Sequence, residues 1–264
     1  GLADFWCDSG GYFRAPGVSG GEKLMDRESL RSHLIEACSL MAIEIRTDQV
    51  EQLLRFAAMV EAGNQRMNLT RIESEKEFAV KHLVDCLAVQ KTDFGFSGRG
   101  IDGGSGAGFP GVVIASCLTT DPVVLVDSLE KRVGFLREVS KALQLSHVEC
   151  VHSRAEDLAR NPSYRERFQW ATARAVAPLP ALLEYCVPFL AVGGHFIAFK
   201  GSSFPEELKA AGNAVKLLNA SLIQQYHFQL PFDMGERWLA VFRKEAATSA
   251  KYPRKAGIPN KKPL

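Results

Sequence analysis

The chain has 264 residues and a mass of 29.0 kDa, is 46% hydrophobic and 23% charged, and contains 22 Gly and 12 Pro. This suits one large soluble domain with a smaller appendage and excludes disordered and collagen-like chains. The formal net charge is +2, yet Lys251, Arg254, Lys255, Lys261 and Lys262 stand in residues 251–264 without an acid, so the positive charge is concentrated in the tail.

Residues 1–24 carry scattered glycines and no periodicity, and read as a disordered extension, with a natural start at Met25. Leu30, Leu34, Ile35, Cys38 and Met41 then follow helical spacing. Thr47 is expected to cap a second helix that buries Val50, Leu53, Leu54, Ala57 and Ala58 and ends near Asn64. A third is expected from Ser74, whose Ser-x-x-Glu pattern with Glu77 is a capping box. Residues 25–92 therefore read as an N-terminal helical cap.

From about residue 99, β-rich runs alternate with helical segments, the pattern of a parallel sheet covered by helices. Strands are expected at 99–102, 123–127, 148–152, 170–174 and 195–200, with helices near 110–119, 129–144, 178–190 and 204–218 between and after them. Two further strands, 221–230 and 237–244, are joined by a short connection that suits a hairpin. The expected division is 93–246 for this α/β domain and 247–264 for a basic tail that packs no core but neutralises phosphates.

The longest apolar neighbourhood, 179–199, is broken by Glu184, Pro188, Gly193, Gly194 and His195, short of the ~20 apolar residues of a membrane span. No secretory pattern opens the chain, so a cytoplasmic location without a membrane partner is expected. Cysteines 7, 38, 86, 117, 150 and 186 show no metal-ligand spacing and read as reduced, mostly buried thiols. No exposed apolar heptad calls for more than a monomer.

The first strand runs into Asp102-Gly-Gly104-Ser-Gly106-Ala-Gly108-Phe109-Pro-Gly111. Glycines suit a loop that turns sharply and lets backbone approach a ligand closely. The next strand ends in Asp127, placed to accept both hydroxyls of a ribose. A nucleoside cofactor follows, either S-adenosylmethionine or NAD, since Gly106, Gly108 and Gly111 also satisfy the dinucleotide spacing. Asp102 before the glycines would repel a pyrophosphate and favours the cofactor with a positive end, S-adenosylmethionine.

The glycine loop resembles that of the glucose-inhibited division B family of bacterial small-subunit ribosomal RNA methyltransferases. The resemblance extends through Asn68-Leu-Thr70, Lys81-His82-Leu-x-Asp85, Asp127-Ser-Leu-x-Lys131-Arg132, Ser153-Arg-Ala155-Glu156, Ala173-Arg174-Ala, Phe199-Lys200-Gly and the terminal segment from Lys251-Tyr-Pro-Arg254-Lys255-Ala-Gly257 to Pro263-Leu264. Gly103 and Gly63 depart from it, standing where a branched apolar residue and a Trp are usual. The resemblance implies a class I S-adenosylmethionine-dependent methyltransferase fold, Rossmann-like, with a mostly parallel seven-stranded sheet. It implies methyl transfer to N7 of a guanosine in the 530 loop of 16S rRNA, free or in the 30S subunit. It makes Gly104, Phe109, Ala155 and Glu156 cofactor contacts beside Asp102, Gly106, Gly108 and Asp127, and sets Arg174 at the cofactor and substrate end as the catalytic residue. Lys131, Arg132, Lys200, Lys251, Arg254 and Lys255 are the expected RNA contacts. No nucleophile–base pair is evident, and His82 with Asp85 reads as a structural pair. The alternatives are an NAD-dependent oxidoreductase and a non-catalytic RNA-binding assembly factor.

Overall fold

The computed structural model describes residues 25–71 and 74–264, so the expected extension 1–24 lies outside the described residues. Helix α1 (Arg27–Leu40) starts where the Asp26 carboxylate accepts the Ser29 N–H at 2.7 Å, and its spacing buries Leu30, Leu34, Ala37 and Cys38. Helix α2 (Thr47–Met67) begins one residue before the expected register. Arg46 occupies the cap position, because Gln49 Oε1 accepts its N–H at 2.8 Å, and Thr47 is already helical. The Gln49 amide also donates to the Cys117 carbonyl at 2.7 Å.

Helix α2 continues through Gly63. A Cβ there would stand 2.8 Å from both Leu69 Cδ1 and Phe135 Cε2, so neighbouring side chains already fill the space a larger residue would take. Ser74 caps α3 (Glu75–Phe78) as expected, its Oγ accepting the Glu77 N–H at 3.2 Å. The helix then widens into a π-helical turn, Ala79–Val84, followed by α4 (Asp85–Leu87) and a 3₁₀ turn, Ala88–Lys91. Periodicity gave no sign of this widening, a feature common at functional sites.

The strands are β1 (Gly100–Gly103), β2 (Val123–Asp127), β3 (Val148–His152), β4 (Phe168–Arg174), β5 (Leu190–Lys200), β6 (Ala220–Gln229) and β7 (Glu236–Lys244). They form one sheet in the order β3-β2-β1-β4-β5-β7-β6, parallel except for β7, which runs antiparallel to both neighbours. This is the Rossmann-like sheet of the class I methyltransferase fold. β1 pairs with both β2 and β4, so the winding reverses there, and the crevice at their carboxyl ends is where such sheets hold ligands.

Helices α5 (Gly111–Cys117) and α6 (Glu130–Ala142) cover one face; α8 (Leu179–Cys186), α9 (Phe204–Ala210) and α10 (Gly212–Leu217) cover the other. Leu34, Phe56 and Leu83 of the N-terminal helices belong to the same buried cluster as Val113 and Leu136 of α5 and α6. The N-terminal helices are thus part of one face's core. Truncating fully buried Phe56 to Ala would cost about 3–5 kcal/mol. Helix α8 stops at Cys186 before Pro188, which supplies no N–H, and the expected helix over 204–218 is divided at Ala211.

Two short helices were not expected, α7 (Ala155–Leu158) and α11 (Ile258–Lys261). The second corrects the expectation of an unpacked tail. Pro253 and Pro259 are buried, and Tyr252 and Leu264 pack against the core beneath α8. Proline-rich sequence suggested a solvated segment, but the bonds that hold it come from residues about seventy to one hundred positions away.

Candidate active site

The glycine loop is built around two carboxylates. Asp102, on β1, is fully buried and faces Thr172, its register partner on β4, whose hydroxyl donates to Asp102 Oδ1 at 2.8 Å. Oδ2 accepts the N–H of Gly111 at 3.2 Å. Burial pushes the Asp102 carboxyl up to about 6, against the pull of these hydrogen bonds. Asp102, expected as a cofactor contact, thus organises the loop from beneath and lines neither cavity. The Gly111 amide at the helix start is taken by this carboxylate, so it is not free to meet a pyrophosphate, and a buried acid beneath the loop weighs against the NAD reading.

Asp127 closes β2 with 4% exposure; its Oδ2 accepts the Gly106 N–H and its Oδ1 the Leu129 N–H, each at 2.9 Å. A carboxylate has about four lone-pair sites, so two are left for ligand hydroxyls. Gly104 turns the chain at φ +72°, and a Cβ there would stand 2.7 Å from Val176 Cγ2, so glycine is required.

A cavity of about 310 Å³ opens at these strand ends, lined by Gly104, Asp127, Ala155, Glu156, Val176 and, from the tail, Asn260. Glu156 is 4% exposed and accepts the Gly257 N–H on Oε1 at 2.7 Å. Four sequence-predicted residues, Gly104, Asp127, Ala155 and Glu156, are thus brought together, and Arg132 joins them. Arg132, expected as an RNA contact, lines this cavity 3.8 Å from Asp127. Gly106, Gly108 and Phe109 do not line it.

A second cavity, about 490 Å³, lies at the ends of β4 and β5 and is lined by Thr70, Lys81, His82, Arg174, Lys200 and Arg237. Ala175 borders both cavities. Arg174 lines this second one and not the first. Its guanidinium donates to the Lys81 carbonyl at 2.9 Å, to Asp85 Oδ2 at 3.0 Å and to His82 Nδ1 at 3.1 Å. Because Arg only donates, His82 Nδ1 must accept, which leaves the ring N–H on Nε2, 3.1 Å from the Thr70 hydroxyl. Burial, then the Arg174 charge, lowers His82 to about 4, so the ring is neutral near pH 7.

Phe109 is 6% exposed and supports this network from below. His82 stacks on its ring at 4.9 Å, and the Arg174 guanidinium lies 5.1 Å from its centroid. Phe109 lines neither cavity. The His82–Asp85 pair is bridged by Arg174 instead of bonding directly, and Arg237 also reaches Asp85, at 3.4 Å.

Two expected RNA contacts are engaged within the protein. Lys200 Nζ pairs with Glu207 at 2.6 Å and donates to the Ala177 carbonyl at 3.2 Å. Arg254 clamps the fully buried Glu184 carboxylate, with its guanidinium at 2.6 Å and its own N–H at 2.7 Å. Lys131, Lys251 and Lys255 are exposed. Sequence reasoning missed Asn260, Thr70 and Arg237. Asn260 and Thr70 lay inside motifs that carried the family resemblance, which was the available signal; Arg237 had none. Burial pushes the thiols of Cys38, Cys86 and Cys117 up to about 12, consistent with inert core cysteines. Among the described residues, no helix is long and apolar enough to cross a membrane.

Residues 49–231 match the family model described as rRNA small subunit methyltransferase G. A ribosomal RNA small subunit methyltransferase G of Alkaliphilus oremlandii is 42% identical over 89% of this chain and 99% of its own length. One from Desulfitobacterium hafniense is 45% identical over 84% of this chain and 92% of its own. Among solved structures, the YcgJ protein of a Bacillus superposes with a TM-score of 0.49 at 13% identity, over 63% of this chain and 100% of that one.

Proposed function

The chain belongs to the rRNA small subunit methyltransferase G family, and from that premise we propose that it transfers a methyl group from S-adenosylmethionine to N7 of a guanosine in the 530 loop of 16S rRNA, with the rRNA or the 30S subunit as substrate and the monomer as the working form. The observation that carries this reading is the pair of adjoining cavities, which meet at Ala175 where β4 ends. One presents the carboxylates of Asp127 and Glu156, and the other presents Arg174, Lys81 and Arg237.

The first cavity fits the cofactor. Asp127 has unused acceptor sites for a ribose, Glu156 is held by a backbone amide with its second oxygen available, and Gly104 leaves the wall open to close approach. When bound there, S-adenosylmethionine supplies an electrophilic methyl on a sulfonium. Guanine N7 presents a free lone pair, so no side chain has to remove a proton. The residues of the second cavity therefore hold and align the base. Arg174 offers donors of fixed orientation, anchored by Asp85 and His82, and the neutral His82 ring adds no charge beside them. Rate enhancement then comes from alignment and fixed electrostatics.

The test is transfer of labelled methyl to 30S subunits from cells lacking the protein, followed by nuclease digestion and mass spectrometry. The expected product is 7-methylguanosine in the 530 loop, absent with Arg174→Ala, a variant expected to melt lower than wild type because Asp85 and His82 lose a partner, yet to stay folded by circular dichroism at the assay temperature. Cofactor binding without transfer to rRNA or 30S particles would refute the substrate assignment, and full activity of Arg174→Ala would remove that residue from the site.

A further inference from the structure

The C-terminal segment is tied down by side chains that reach its backbone. Arg165 donates to the carbonyls of Thr248 at 2.8 Å and Tyr252 at 2.9 Å, and Arg160 to that of Pro253 at 2.5 Å. The Arg254–Glu184 clamp follows immediately. These bonds deliver the chain to the first cavity, where Gly257, at φ +81°, donates its N–H to Glu156 and Asn260 forms part of the wall. Asn260 is itself exposed, so its carboxamide is not committed to the core. A carboxamide offers a donor and an acceptor side by side, the complement of the adenine N6 and N7 edge. The Glu156 carboxylate supplies an acceptor for an exocyclic amine in the same cavity.

We propose that the segment 253–260 completes the cofactor cavity, in which Gly257 orients Glu156 and the Asn260 carboxamide recognises the adenine edge of the bound nucleoside. The proposal rests on the reading of this cavity as the S-adenosylmethionine site. It assigns the tail to cofactor recognition, in place of the phosphate-neutralising role its charge suggests.

The experiment is calorimetric titration of the full chain with S-adenosylhomocysteine and with S-inosylhomocysteine, which carries an oxo group where adenine has its amine. Wild type is expected to prefer the adenosyl compound. Asn260→Ala is expected to bind it about three- to tenfold more weakly, the worth of one net hydrogen bond, and to narrow the preference. Its melting temperature and its affinity for 16S rRNA are expected to stay unchanged. Wild-type binding with unaltered affinity in Asn260→Ala would overturn the inference alone, as would a loss of rRNA affinity with cofactor affinity intact. Failure of the wild type to bind either compound would overturn the reading of the cavity itself.

Discussion

Replacing Arg254 by Ala separates the two roles open to the basic tail. The Glu184 carboxylate beneath it has no exposure, and it receives Nε at 3.0 and 3.1 Å, Nη2 at 2.6 Å and the backbone N–H at 2.7 Å, all from Arg254. Removing one partner of a buried pair costs about 3–5 kcal/mol, because the other charge is stranded. The Arg254 side chain is 26% exposed and its backbone N–H survives the change, so the lower end, about 3 kcal/mol, applies. At about 2–4 °C per kcal/mol for a chain of this size, the melting temperature should fall by roughly 6–12 °C. Replacing both Glu184 and Arg254 by Met should recover most of it, since apolar pairs often substitute for buried ion pairs without loss. A phosphate contact instead predicts that log affinity against log salt flattens by about 0.7–0.9. Differential scanning calorimetry and salt-dependent filter binding to 16S rRNA decide the matter. An unchanged melting temperature with a flatter salt slope would refute the structural role.

Three other perturbations follow from the same geometry. His82, lowered from 6.5 to about 4, contributes stability that is lost as pH falls from 6.5 through 4, whereas Asp102, raised from 3.8 to about 6, contributes stability that is lost as pH rises from 3.8 through 6. The two oppose each other at about 3 kcal/mol apiece, so His82→Asn should gain on wild type by about that amount between pH 6.5 and 4 in urea titrations; a constant difference would show that His82 does not titrate in this window. Gly104→Ala should weaken S-adenosylmethionine binding, with about 1–2 kcal/mol of backbone strain added to the clash with Val176; Val176→Ala should restore part of it, and unaltered affinity by calorimetry would count against the loop. Lys131→Ala should lower rRNA affinity uniformly and reduce the salt slope by about 0.7–0.9, while an unchanged slope would leave Lys131 merely solvated.

What the sequence disclosed was what lies close along the chain. Alternating β and helical runs anticipated the strands of the described residues within about two residues except β5, which starts five residues before its expected position, inside the expected helix 178–190, and Asp127 was legible from its distance to the glycines because Gly106 and Asp127 come together at the ends of neighbouring strands. Asp102 was legible as a special residue, but its direction was not, because that depends on Thr172 of a neighbouring strand. Arg174 and His82 lie far apart in the sequence, as do Arg254 and Glu184, and no local pattern registers such pairs. Lys131 and Lys200 look alike as basic residues after a strand, and only the position of Glu207 separates the engaged one from the exposed one.

The connection between Glu156 and Gly257 also orders events during synthesis. A nascent chain acquires its last strand at Lys244, and the sheet with both its helical faces then has every residue it needs to form. The backbone amide that holds Glu156 and the side chain of Asn260 emerge only afterwards. At about 5–20 residues per second the delay is brief, but its sequence is fixed: the scaffold is available before the first cavity has its full lining. A chain terminated after Lys244 would carry the complete set of strands and an unfinished pocket.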